Sequence, residues 1–64
     1  MFIIKDYHTA EYLDKSKDDI EVPRVGDKIV GIKDQELNVF DVREVAWDLA
    51  KGYADVYVSL NHII

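Results

Sequence analysis

Leu37-Asn-Val-Phe-Asp-Val-Arg-Glu-Val-Ala-Trp47 is the stretch on which the fold turns, because its apolar residues fit two different periods. Read as a helix, Asp41 and Glu44 have capping-box spacing, and Val42, Val45, Ala46 and Leu49 share one face. Lys51 and Gly52 would close that helix, a positive charge at its negative end followed by a residue free to turn left-handed. Read as a strand, the stretch has Phe40 and Val42 in one alternation phase and Val45 and Trp47 in the other. One extra residue near Arg43 and Glu44 returns all four to a single face.

The segment downstream favours the strand. Ala54-Asp-Val-Tyr-Val-Ser-Leu60 puts Ala54, Val56, Val58 and Leu60 on one side and Asp55, Tyr57 and Ser59 on the other. The two segments fit as a hairpin with Val42 opposite Val58, Arg43 and Glu44 together opposite Tyr57, Val45 opposite Val56 and Trp47 opposite Ala54. Asp48 to Tyr53 then becomes the connecting loop, with Gly52 at a permissive turn position. We therefore expect a mainly β protein, with an α+β fold carrying a helix at about 42–51 as the alternative.

Upstream, Val22-Pro-Arg-Val-Gly-Asp-Lys-Ile-Val-Gly-Ile32 reads as a proline-fixed lead-in, a turn and an apolar strand. Pro23 pushes Val22 toward extended geometry, and Gly26 supplies a backbone angle that a residue with Cβ resists, delivering Val25 and Ile29 to one interior. Asp27 is placed to hydrogen-bond its own turn. Asp27 to Lys33 is a strand in which Gly31 signals a bulge or a close backbone approach. Phe2 to Tyr7 is a first strand, and Ile20 to Val22 a short edge piece. Between them, residues 8–19 read as a polar, mobile loop.

Length and composition bound the rest. Sixty-four residues form a single domain, 1–64, and a chain of this size buries only about 60% of its unfolded surface. At the usual per-residue figure its stability is roughly 3–10 kcal/mol. There is no cysteine, which removes disulfide, zinc-knuckle, iron–sulfur and thiol-redox readings. Thirteen acidic residues against eight basic ones give a net charge of −5, the wrong sign for a phosphate-backbone footprint. The apolar run after Met1 is too short for a signal-peptide core or a membrane span, and we expect a complete, cytoplasmic chain.

From Val22 onward, the turn Val-Pro-Arg-Val-Gly-Asp27, then Val42, Val45 and Trp47-Asp48, then Val56-Tyr-Val-Ser-Leu60, resembles a group of small uncharacterised proteins of bacteriophages and mobile elements. The resemblance spans about two thirds of the chain and rests on structural positions. It implies a small five-stranded SH3-like barrel or half-barrel and a phage or prophage origin, and carries over no catalytic or binding residue. The polar loop from His8 to Asp19 departs from the pattern.

No constellation of side chains names a reaction. His8 and His62 are the only imidazoles, near opposite ends of the chain, and could meet with Asp6 or Glu11 only if the first and last strands pair. Asp18 and Asp19 read as a hydrated turn rather than a catalytic pair, and Ser16 and Ser59 lack any nucleophile motif. We expect no enzyme activity, no metal and no cofactor. Trp47 reads as a core aromatic. Tyr57, pointing away from Val56 and Val58, reads as an outward anchor beside Arg43, with Tyr53 and Arg24 as further candidate partner contacts.

The expected function is a non-enzymatic interaction module that binds a host or phage protein, or itself, through strand edges and an aromatic face. A homodimer or higher oligomer would add the apolar burial that 64 residues lack. The alternative is a nucleic-acid-associated SH3-like domain, or an acidic mimic of nucleic acid, supported by fold analogy alone. No membrane partner is expected.

Overall fold

In the computed structural model, which describes residues Met1–Ile64, the stretch that decides the fold is extended throughout. The strands are β1 (Phe2–Asp6), β2 (Tyr12–Lys15), β3 (Lys28–Lys33), β4 (Glu36–Asp48) and β5 (Tyr53–Ile63). They form one sheet in the order β2-β1-β5-β4-β3, with β1 parallel to β5 and every other neighbour antiparallel. The sheet curls until its two edges line a common cleft, giving an open half-barrel.

The β4–β5 hairpin has the register expected from sequence. Val42 faces Val58, Glu44 faces Tyr57, Val45 faces Val56 and Trp47 faces Ala54, with the ladder shifting between Val42 and Glu44 so that Arg43 is the extra residue. The helix at 42–51 does not form. Its would-be cap, Asp41, instead accepts from Lys28 Nζ at 2.8 Å and Asn61 Nδ2 at 2.9 Å. Its last turn is replaced by a hairpin loop in which Asp48 Oδ1 accepts the N–H groups of Ala50 and Lys51, and Gly52, at φ +81°, donates to the Asp48 carbonyl. A helix would also leave the apolar face of β5 without a partner. A second shift, between Val39 and Phe40, leaves Asn61 as an extra residue on β5 and was not legible in the alternation.

Phe2, Phe40, Val42, Ala54, Val56 and Val58 form the core, with Ile4, Leu13, Val22, Ile29 and Val45 packed around them. β1 reaches this core by lying parallel to β5, with Phe2 beside Ala54 and Ile4 beside Val56. Gly31 causes no bulge, since β3 and β4 pair without a register shift. A Cβ there would sit 3.6 Å from the Phe40 ring, an ordinary contact, so no close backbone approach requires the glycine either. Gly26 takes φ +96° and donates to the Val42 carbonyl, and Asp27 Oδ2 accepts from the Arg24 N–H at 2.9 Å, closing the turn as expected.

Three expectations are corrected. Residues 8–19 are not one loop: Asp6 Oδ1 accepts from His8 and Thr9, Ala10 turns at φ +62°, and Tyr12–Lys15 returns along β1 as an edge strand. Ser16 pins its end by exchanging bonds with the Phe2 backbone at 2.8 and 2.9 Å. Ile20–Val22 is not a strand, because β2 already occupies that edge. Trp47, 61% exposed, and Val25, 65% exposed, lie outside the core. β3 stops opposite Asp41, so the far end of β4 is flanked only by residues 22–25, and Phe2 and Phe40 supply the core aromatics instead.

β3 and β4 are joined by Asp34 and Gln35, both left-handed at φ +53° and +65°, the pattern of a type I′ turn. Aspartate tolerates this geometry far better than glutamine does, and the second position favours glycine. Gln35→Gly is expected to stabilise the fold by about 1 kcal/mol, raising Tm by roughly 4–8 °C in thermal unfolding. A lowered Tm would contradict the turn assignment.

Candidate functional site

The hydrogen-bond phase of β3 fixes which of its peptide groups remain free. Val42 N–H donates to the Asp27 carbonyl, and the two-residue turn closes the Lys33–Glu36 pair. Antiparallel alternation between these points directs Ile29, Gly31 and Lys33 toward β4, and the N–H and C=O of Lys28, Val30 and Ile32 outward. β2 likewise pairs on one side only, with β1. No backbone ladder joins β2 to β3, and the two open edges flank a cleft of about 590 Å³.

The floor of the cleft is apolar, contributed by Ile4, Leu13, Ile20, Ile29 and Phe40. Lys15, Lys17 and Lys33 stand at its rim together with Asp14 and Asp34. The chain's ion pairs are Lys5–Asp55, Lys28–Asp41 and Lys51–Asp48, so none of the three rim lysines is in one. On the outer face of β3, Val30 and Ile32 are 60% and 69% exposed, with Leu37 paired opposite Ile32 and Val39 opposite Val30. Sequence reasoning missed this surface. Its signal was present in Ile29-Val30-Gly31-Ile32, apolar in both phases, but only the topology shows that the strand is an edge.

The four residues proposed as partner contacts are distributed over three places. Tyr57 and Arg43 share the convex face of the β4–β5 ladder. Tyr57 is half-buried with Lys5 Nζ 6.0 Å from its ring centre, while Arg43 lies 4.7 Å over the Tyr7 ring and donates to Ser59 Oγ at 3.3 Å. Tyr53 sits at the hairpin end beside Lys51. Arg24 lines a separate shallow hollow of about 380 Å³ with Pro23, Val25 and Trp47. Beneath the convex face, Asp55 pairs with Lys5 at 3.3 Å through one oxygen, and its other oxygen is buried without a partner.

Two carboxyls, those of Asp6 and Asp41, are held by local hydrogen bonds. Hydrogen bonds from the His8 and then the Thr9 backbone hold the Asp6 carboxyl below its ordinary value. Lys28 and then Asn61 do the same for Asp41 through their side chains. A general acid requires a shift in the opposite direction. No three His, Asp or Glu side chains converge as metal ligands. β1 and β5 do pair, yet His8 lies in the turn after β1, and His62 stands opposite Val39 with its ring hydrogen-bonded to Asn61 at 2.7 Å. No helix is long and apolar enough to cross a membrane.

Comparison with known protein families, with curated proteins and with solved structures returns no match.

The Asp6 turn generates a pH test. Because its folded pKa is depressed, Asp6 contributes stability that is present above its ordinary value of 3.8 and is lost as pH falls through the lower folded value. Asp6→Asn keeps an acceptor oxygen without the charge. It should lower Tm at neutral pH by circular dichroism, and the gap from the parent protein should close as pH drops below 3.8. An equal gap at neutral and strongly acidic pH would rule out the charge as the stabilising element.

Proposed function

We propose that this protein is a non-enzymatic interaction module that binds a protein partner at its open strand edges, with the Tyr57 and Arg43 face as a second contact area. The observation that carries the reading is the pair of unpaired edges, β2 and β3, flanking one apolar cleft. An unpaired edge presents a row of donors and acceptors that templates another strand, and proteins that do not use such an edge cover or blunt it. Here β3 carries exposed Val30 and Ile32 at its open side, which is the opposite of protection. Asp6 and Asp41, held ionised by local hydrogen bonds, support a structural rather than a catalytic use of the polar residues.

The reading requires no cofactor. A partner that donates a strand gains backbone hydrogen bonds along β3 and places alternate side chains against the cleft floor and the outer apolar strip. Resemblance to phage-type proteins supports a search for that partner among phage and host proteins, and self-association belongs to the same reading.

Val30→Pro tests it, because the Val30 N–H points away from β4 and its loss leaves the internal ladder intact. In affinity capture from the native cell, the parent protein should retain a protein partner that folded Val30→Pro loses. Equal retention by both would overturn binding through the β3 edge.

A further inference from the structure

We infer that the β3 edge is occupied by a second copy of this chain, the two β3 strands running antiparallel about a twofold axis at Val30. The inference rests on the interaction-module reading and names the partner. Antiparallel pairing of an edge with itself is isologous, so each residue meets a defined partner across the axis. The outward groups belong to Lys28, Val30 and Ile32. The register that pairs Val30 with Val30 of the second copy, and Lys28 with its Ile32, matches all three outward residues with outward residues. A shift of two positions either way carries an outward residue past the end of the strand.

This register also suits the side chains. On the outer face it joins two exposed Val30 side chains and sets each exposed Ile32 against the aliphatic stem of Lys28. The Lys28 charge is already met by Asp41 at 2.8 Å. On the inner face Ile29 comes opposite Gly31, where there is no side chain to obstruct it. Asp27 comes opposite Lys33, which makes no direct ion pair in its own chain and has only a longer-range attraction to Asp6. That pair falls at a non-hydrogen-bonded position, where opposing side chains are closest, and opposite charges across strands are favourable. Within the span from Asp27 to Lys33, no like charges face each other. Pairing thus covers the apolar strip and sets Asp27 against Lys33 in one step.

The absence of cysteine gives a direct test. Val30→Cys introduces a single thiol whose twofold mate would lie at a Cα separation of about 5.5 Å, within disulfide range. Under oxidised glutathione, folded Val30→Cys should form covalent dimer at least about tenfold faster than Leu49→Cys, whose side chain is 92% exposed at the distant hairpin tip. Equal rates would overturn the inference. Sedimentation of the cysteine-free protein from micromolar to near-millimolar concentration should show a dimer. Both Val30→Pro and Lys33→Glu should weaken it, the latter roughly tenfold because like charges then face each other twice. A monomer throughout, or a dimer indifferent to Val30→Pro, would overturn it as well. A monomer that still captures a partner sensitive to Val30→Pro would retain the module reading and lose this one.

Discussion

The structure depends on the bulged register of the β4–β5 hairpin. Val42 and Val45 lie in opposite phases of a regular strand, and only the extra residue at Arg43 lets both face β5 on the core side, opposite Val58 and Val56. β1 then docks on β5, placing Phe2 and Ile4 over the same valines, and β3 docks on β4, placing Ile29 beside Phe40. Burying one valine side chain contributes about 1.5–3 kcal/mol, against a total stability of roughly 3–10 kcal/mol for a chain this short. A slip of one residue would turn Val45 away from Val56, and it would remove a large fraction of what holds the domain folded.

The same economy explains the open edges. Only nine residues are buried, so the core is too thin for the sheet to close around, and β2 and β3 are left apart across an apolar cleft. β3 accordingly carries apolar residues on both sides: Ile29 toward the core, and Val30 and Ile32 toward solvent. The convex face is settled differently, by Lys5 with Asp55, Arg43 over Tyr7, and Lys28 and Asn61 on Asp41. Those contacts pair polar groups within one chain, whereas the β3 edge leaves its outward backbone groups to solvent.

What could be read from sequence follows from this division. The β4–β5 pairing was legible because two alternating segments had to match each other, and a mismatch of one phase located the bulge between Val42 and Glu44. The turn at Gly26 and Asp27 was legible because its chemistry is local. β2 was not, since Tyr12-Leu-Asp-Lys15 carries little alternation and is a strand only because Asp6 reverses the chain and Ser16 fastens it to Phe2. Trp47 looked like core because it shares a face with Val45, and its exposure depends on where β3 ends. The cleft was out of reach for the same reason. It joins strands that are not neighbours in the sheet, and no local pattern encodes which edges stay open.

The most direct test of this account is the pairing of β4 with β5 in solution, measured by cross-strand nuclear Overhauser contacts. The bulged register requires contacts between Val42 and Val58 and between Val45 and Val56, with Arg43 unmatched. Contacts placing Val45 opposite Asp55 would indicate an unbroken ladder, and helical contacts three residues apart through Val42 to Lys51 would indicate the other fold. Either result would contradict the account.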